Sequence, residues 1–315
     1  MSSNETKEYD IVIIGGGPAG LAAGLYASRG NMKTIILEKL LTGGQLNNTA
    51  EVENYPGMDH VTGPEIGEEM TKQTKRFGCE IVTNCNISKV ELSGKNKVVE
   101  SDKGIFKSKV VIIATGSEYR KLNVPGEKEY NARGVSYCAV CDGAFFKEKE
   151  LVVVGGGDSA VEEGTFLTKF ATKVTIVHRR DAFRAEKIIQ DRAFKNPKIN
   201  VVWDTVVPEI KGNGNGVTSV ILKNVKTNES KEFSCDGVFI YVGLDPNTQL
   251  FKGQLKMDNS GKIITNEKME TNIPGVYAAG DVRETPLKQA VTAASDGSLA
   301  ATMAIGYIEA LHDKE

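Results

Sequence analysis

Two short runs of consecutive apolar residues, Ile11-Val-Ile-Ile14 and Leu151-Val-Val-Val154, are each followed at once by three glycines. A run of about four apolar residues without polar alternation predicts a strand buried on both faces of a parallel sheet. The runs stand at a constant offset of 140 residues, and the correspondence continues without a gap. Gly15-Gly-Gly-Pro-Ala-Gly20 lies over Gly155-Gly-Gly-Asp-Ser-Ala160, Gly24 over Gly164, Lys33 over Lys173, and the run 34–37 over 174–177. The chain therefore carries an internal duplication of a strand, glycine turn, helix, strand unit, with helices expected over about 19–29 and 159–170.

Beyond the second unit the pattern changes to hairpin-like segments at 217–224, 231–235 and 237–242, with Asn213-Gly-Asn-Gly216 as the strongest turn signal. These segments are expected to form a sheet layer closing the second domain. Thr271-Asn-Ile-Pro-Gly-Val-Tyr-Ala-Ala-Gly280-Asp281 then reads as a short strand ending in a Gly-Asp turn, and a helical pattern follows over about 288–311. This tail is assigned back to the first domain. The expected organisation is two Rossmann-like dinucleotide-binding domains of α/β class, 118–247 inserted into 1–117 and 248–315. The stretches 116–120 and 243–248, the latter with Pro246, serve as a double hinge. A chain of 315 residues suits two domains.

Composition adds exclusions. Apolar residues make up 40% and charged residues 25%, as in ordinary globular proteins. The longest apolar runs are far short of the roughly 20 residues of a spanning helix, and the polar N-terminus has no apolar core of a signal peptide. A cytoplasmic protein is expected. The net charge of −2 and the lack of a long basic run argue against a nucleic-acid surface. Five cysteines, an odd number, argue for a reducing compartment, where a disulfide would be catalytic.

The two glycine turns predict different ligands. In the first, Gly15, Gly17 and Gly20 let the backbone approach a pyrophosphate and set it on a helix N-terminus. Glu38, at the end of the next strand, is placed to accept hydrogen bonds from ribose hydroxyls. A turn kept only for packing is the competing reading, and the complete strand, turn, helix and acid context weighs against it. In the second unit the position of Glu38 is taken by His178, followed by Arg179, Arg180 and Arg184, a cluster read as cationic. Glu would repel a 2′-phosphate that Arg forks can hold, so NADPH is expected here in preference to NADH. A solvated basic loop is the alternative. Since a nicotinamide needs a hydride acceptor, a flavin is inferred for the first site from partnering, although spacing alone also allows NAD or an ADP moiety there.

Cys138-Ala-Val-Cys141-Asp142-Gly143 lies shortly before the second unit. Adjacency lowers one thiol's pKa and keeps a resolving thiol at hand, which suits reversible disulfide formation, and Asp142 could supply or take the proton. Half a zinc site is the rival, but it needs a second Cys or His pair. Cys79 and Cys85 are separated by five residues, Cys235 is solitary, and no His is near any of them, so these three read as small buried hydrophobes and no metal is expected.

Taken with Gly43-Gly-Gln45, Glu53-Asn-Tyr-Pro-Gly57, Ala114-Thr-Gly116 and Gly280-Asp281, these motifs closely resemble the low-molecular-weight thioredoxin reductases of bacteria, class II pyridine nucleotide-disulfide oxidoreductases, over essentially the whole chain. The resemblance implies FAD held by Gly15, Gly17, Pro18, Ala19, Gly20, Glu38, Gly44, Gln45, Asn54, Thr115, Gly116, Gly280, Asp281, Lys288, Gln289 and Ala290. It implies NADPH held by Gly157, Asp158, Ser159, Ala160, Glu162, His178, Arg179, Arg180 and Arg184. It further implies a homodimer of three-layer ββα domains in which NADPH reduces FAD, the flavin reduces the Cys138–Cys141 disulfide, and the dithiol reduces thioredoxin. By the same resemblance the smaller domain is expected to rotate between the half-reactions, with Cys141 the sulfur nearer the flavin and Asp142 the acid. Two departures stand out: Lys288 where the family usually has Arg before Gln, and Ser295-Asp-Gly297 where a small Gly is often found. A small-molecule dithiol oxidase, a reductase of another partner and a non-catalytic redox sensor are the competing functions; the Arg cluster weighs against oxidases that need no NADPH.

Overall fold

The structure is a computed structural model and describes residues 6–49 and 51–313. The chain divides into two compact units. The first comprises Met1–Asn47, Glu51–Glu118 and Asp245–Glu315; the second comprises Tyr119–Leu244 together with the three-residue segment Asn48–Ala50. The two long-range crossings run through the short strands Ser117–Tyr119 and Leu244–Pro246, which pair with each other as a two-stranded sheet.

In the first unit a sheet of seven strands among the described residues has the order Glu80–Val82, Thr34–Leu37, Thr6–Ile14, Gly104–Ile113, Lys97–Ser101, Ile87–Glu91, with Val276–Ala278 also on Gly104–Ile113. The apolar run 11–14 pairs in parallel on both sides, Ile11 with Thr34 and with Val110. Its side chains alternate between two cores. Ile11 and Ile13 face the helix Pro18–Arg29 and the alanines of the helix Ala290–His312, whereas Val12 and Ile14 meet Val99, Phe106 and Ile263. Ile11, Val12 and Ile13 are completely buried, each worth about 1.5–3 kcal/mol over exposure.

The two helices approach closely because small residues line their contact. A side-chain carbon at Gly297 would stand 2.0 Å from the carbonyl oxygen of Ala19, so only glycine is accommodated. Among the described residues no helix is long and apolar enough to cross a membrane.

The second unit repeats the plan. Its parallel sheet has the order Ile199–Val202, Lys173–Val177, Glu150–Gly155, Gly237–Tyr241, Val135–Ser136. The helix Asp158–Leu167 covers one face, and a three-stranded antiparallel layer, Thr205–Asn213, Gly216–Asn224 and Ser230–Ser234, covers the other. This is a ββα arrangement, as the resemblance implies.

Three sequence expectations change. The segment 237–242, read as a member of the hairpin layer, instead supplies the central parallel strand Gly237–Tyr241, every residue of which is buried. Continuous burial is the mark of a parallel strand, and it outweighs proximity in sequence to the hairpins. The strand Thr205–Asn213 was not among the segments read from the sequence; the structure places its Pro208 at a register shift between Val206 and Glu209, where a missing N–H costs no ladder bond. The second helix ends at Leu167 rather than about 170, and Lys198 Nζ caps the following turn through the carbonyls of Thr168 and Ala171 at 2.8 and 2.9 Å.

Candidate active site

The first glycine turn starts from Gly17, the N-cap of the helix Pro18–Arg29, where no side chain caps the first-turn N–H groups. Those donors are left for an anion. Pro18 at the first helical position has no N–H to satisfy. Gly20 is required by packing, since a side-chain carbon there would meet the Gly15 carbonyl at 1.9 Å. The Glu38 carboxylate accepts the Gly16 N–H at 2.6 Å and the Leu40 N–H at 2.8 Å, which fixes it beside the turn.

Three distant segments reach this helix start, the Gly43–Gly44 loop, Ala114–Thr115 and Gly280, and further bonds tie neighbouring parts of the same unit together. The Gly43–Gly44 loop is tied on by the Gly43 N–H to the Gly16 carbonyl at 2.8 Å, and Gln45 Nε2 donates to the Ser117 carbonyl at 2.8 Å. Thr115 and Asn247 exchange hydrogen bonds of 2.8 and 3.0 Å, and the Asn247 N–H reaches the Gly116 carbonyl at 3.0 Å. Asn54 Nδ2 donates to Gln289 Oε1 at 3.3 Å, next to Ala290, which opens the last helix. Gly280, at φ 77°, turns the chain against Ala19, and its N–H donates to Asp296 Oδ2 at 3.1 Å. That same carboxylate holds Arg283 at 2.7 Å. Burial pushes the Asp281 carboxyl above its ordinary value; Lys288 opposes this and Asp296 adds to it. Lys288 thus bears on Asp281 by charge. Ser295 lines a cavity of about 380 Å³ with Tyr26, Tyr55 and Met70, and the glycine needed for close helix packing is Gly297.

The second turn has the same backbone plan with Gly157 as N-cap and Asp158 in the first turn. Asp158 Oδ1 accepts the Glu186 N–H at 2.7 Å, and the Arg184 N–H reaches the Gly156 carbonyl at 2.7 Å, so the arginine loop is anchored on the glycines. Ser159 and Glu162 follow on the same helix. Ala160 is buried and packs under the turn.

Arg179, Arg180 and Arg184 are exposed. His178 corrects the reading of a four-residue cation cluster. It is only 5% exposed, packed on Gly156 and against Phe183 and Trp203 at ring distances of 5.9 and 6.3 Å. Burial, then the charges of Arg184, Arg179 and Arg180, push its pKa below the ordinary value. The imidazole is therefore neutral near pH 7, and the positive charge of the turn belongs to the arginines.

Cys138, the N-cap of the short helix Ala139–Asp142, and Cys141 on that helix are joined as a disulfide, with Cα atoms 5.4 Å apart. Cys138 is half-buried and Cys141 exposed. The Cys141 N–H donates to Cys138 Sγ at 3.1 Å, a contact that favours a thiolate there once the bond is broken. Cys79, Cys85 and Cys235 are buried free thiols; burial pushes Cys79 and Cys235 up to about 12 and raises Cys85. They are accordingly poor nucleophiles at neutral pH.

Several residues around the pair had not been singled out by sequence. Ser136 Oγ donates to Asp142 Oδ2 at 2.6 Å and accepts the Cys138 N–H at 3.1 Å. The Ala139 N–H donates to the Tyr241 hydroxyl at 3.0 Å, and Tyr241 is raised well above its ordinary pKa by burial and then by Glu163. Glu127 accepts hydrogen bonds from Tyr137 Oη at 2.7 Å and from the Leu122 N–H at 2.8 Å. Tyr241 is 102 residues from Ala139 and no local spacing relates them; Ser136, two residues before Cys138, offered only its type as a signal.

Two dinucleotide-type turns and a vicinal cysteine pair define a nucleotide-dependent disulfide oxidoreductase. Comparison with known proteins agrees: the model of the pyridine nucleotide-disulphide oxidoreductase family matches residues 9–297. The chain is 52% identical over 312 residues to a protein of Listeria innocua named thioredoxin reductase, spanning 99% of this chain and 97% of the relative. It is 51% identical over 310 residues to the Bacillus subtilis thioredoxin reductase, spanning 98% of each. Its structure is similar to that of Lactococcus lactis thioredoxin reductase in the FR conformation, with a TM-score of 0.94 at 50% identity, covering 96% of this chain and 99% of the other. The T. acidophilum thioredoxin reductase gives 0.91 at 34% identity with the same coverage. The chain belongs to the pyridine nucleotide-disulphide oxidoreductases and, within them, to the low-molecular-weight, bacterial-type thioredoxin reductase family.

Proposed function

We propose that this chain is an NADPH-dependent flavoprotein thioredoxin-disulfide reductase of the cytoplasm, working as a homodimer. The observation that carries the reading is the Cys138–Cys141 disulfide held in the same unit as a glycine turn bordered by Arg179, Arg180 and Arg184. The first unit would hold FAD, with the pyrophosphate on the uncapped helix start at Gly17, the ribose on Glu38, and Asp281, Gln289 and Ala290 as further flavin contacts. The second would hold NADPH, with the 2′-phosphate on the three arginines. When bound, NADPH and FAD supply the two-electron path that reduces the disulfide.

The residues of the pair then do the rest. Cleavage of the S–S bond takes two electrons and two protons, and Asp142, next to Cys141 in the chain, is read as the source of one proton. One thiolate attacks the disulfide of thioredoxin to give a mixed disulfide, and the second displaces it, reforming the Cys138–Cys141 bond and releasing dithiol thioredoxin. Because the nicotinamide turn and the cysteine pair share a unit, they are expected to alternate at the flavin by rotation about the two crossings. The test is NADPH oxidation by purified protein with a bacterial thioredoxin and a disulfide dye as final acceptor. Turnover that depends on thioredoxin supports the reading; NADPH consumption indifferent to thioredoxin refutes the acceptor. Cys141→Ser should keep NADPH oxidation with an artificial acceptor and lose protein-disulfide reduction, and retained reduction would remove Cys141 from its role.

A further inference from the structure

We infer that Ser136 is a positioning residue for the proton-transfer step, a hydroxyl switch that serves both protonation states of Asp142. The inference rests on the reading of Cys138 and Cys141 as the working pair. Ser136 is 4% exposed and ends the strand Val135–Ser136, whose partner Phe239 lies in the fully buried strand Gly237–Tyr241. Its Oγ is therefore fixed by the sheet and not by the cysteine loop. Three groups of the loop converge on that one oxygen: Asp142 Oδ2 at 2.6 Å, the Cys138 N–H at 3.1 Å and the Cys138 carbonyl at 3.3 Å.

A hydroxyl has one proton to give and two lone pairs. The Cys138 N–H occupies one lone pair permanently. The proton has two acceptors in reach, the carboxylate and the Cys138 carbonyl. When Asp142 is ionised, the Ser136 O–H points to Oδ2 and makes the strong charge-assisted bond. When Asp142 carries the proton, its own O–H donates to the second lone pair of Ser136, and the Ser136 proton swings to the Cys138 carbonyl. Neither state leaves a buried donor unmet, which otherwise costs about 1–3 kcal/mol. A bound flavin would supply the two electrons that break the S–S bond; one of the two sulfurs then takes the Asp142 proton and the other stays a thiolate. The new carboxylate receives the Ser136 O–H in return.

The experiment uses the full-length protein with its pair reduced by dithiothreitol, and follows the pH dependence of iodoacetamide alkylation at Cys138 and Cys141 by peptide mass. No partner or nucleotide is needed, so failure of thioredoxin turnover and failure of this inference are read separately. The bond to the ionised carboxylate is charge-assisted and the stronger of the two, so its loss weighs more on that state, and Ser136→Ala should move the Asp142-dependent part of the alkylation profile toward higher pH. Ser136→Thr should restore it, and Ser136→Ala should add nothing in an Asp142→Asn background. Ser136→Gly, which asks for no extra space, gives the same comparison if the alanine variant folds poorly. Superposed profiles for wild type and Ser136→Ala overturn the inference. So does an equal displacement in the Asp142→Asn background, or an Asp142→Asn profile identical to wild type.

Discussion

The two glycine turns have nearly the same backbone and opposite chemistry. Each places a buried parallel strand, a glycine N-cap and a helix in the same order, Gly17 before Pro18–Arg29 and Gly157 before Asp158–Leu167. They diverge at two positions. Gly20 has no room for a side-chain carbon beside the Gly15 carbonyl, whereas its counterpart Ala160 carries one. Glu38 bonds the turn by its carboxylate, whereas the buried, neutral His178 packs on Gly156 and hands the charge to the exposed arginines. On the proposed function, the shared turn geometry would serve a pyrophosphate in both units and the end of the next strand would set which ribose is accepted.

The sharpest way to break the comparison is to exchange the close-packed position. Gly20→Ala should destabilise the first unit by about 3 kcal/mol, at the upper end of overpacking costs, and reduce retained flavin. Ala160→Gly should cost about 1 kcal/mol. Denaturant unfolding with flavin absorbance compares them, and equal losses would mean the two turns are packed alike. Next in size, Arg179→Ala with Arg180→Ala should raise the KM for NADPH about 30-fold and that for NADH by less than about twofold, the loss of two charge-assisted contacts. Equal changes in steady-state assays would show that the arginines do not read the 2′-phosphate.

A smaller effect is expected from Glu38→Gln, which keeps the shape but weakens the bonds to the Gly16 and Leu40 N–H groups: flavin dissociation, followed by dilution and fluorescence, should speed up about fivefold. Unchanged release would place the ribose elsewhere.

The smallest effect is on pH dependence. His178 has its pKa lowered in the fold, first by burial, so below about pH 6.5 the unfolded chain binds a proton that the folded unit refuses. Stability from this residue is complete above that pH and falls as the pH drops through it. Unfolding midpoints at pH 7.5 and 5.5 should differ more for wild type than for His178→Gln. Parallel shifts would mean that His178 is not held neutral.

Much of this was legible in the chain. The duplication at a fixed offset predicted both glycine turns, both helices and the Glu38 and His178 positions, because a parallel strand and a pyrophosphate turn each impose local residue types. What failed in the reading failed for physical reasons. The strand Gly237–Tyr241 adjoins hairpins in sequence but is buried on both faces, and the strand Thr205–Asn213, not read from the sequence, accommodates Pro208 at a register shift. The sign of His178 was misjudged because protonation follows burial among Phe183, Trp203 and Gly156, which lies 22 residues and more from some of its neighbours in sequence. The grouping of Gln45, Asn54, Thr115, Asp281 and Gln289 as contacts of one ligand came from resemblance and not from spacing.

The sequence alone determined that there are two dinucleotide turns of unlike charge and one vicinal cysteine pair, since these are written in contiguous residues whose chemistry needs no partner. Only the tertiary structure decided that Ser136 and Tyr241 hold the cysteine helix, that Gly297 clears the Ala19 carbonyl and that His178 is neutral. Each of those facts depends on atoms from separate strands or helices meeting at hydrogen-bond or van der Waals distance, and burial with its low dielectric exists only once the chain has folded.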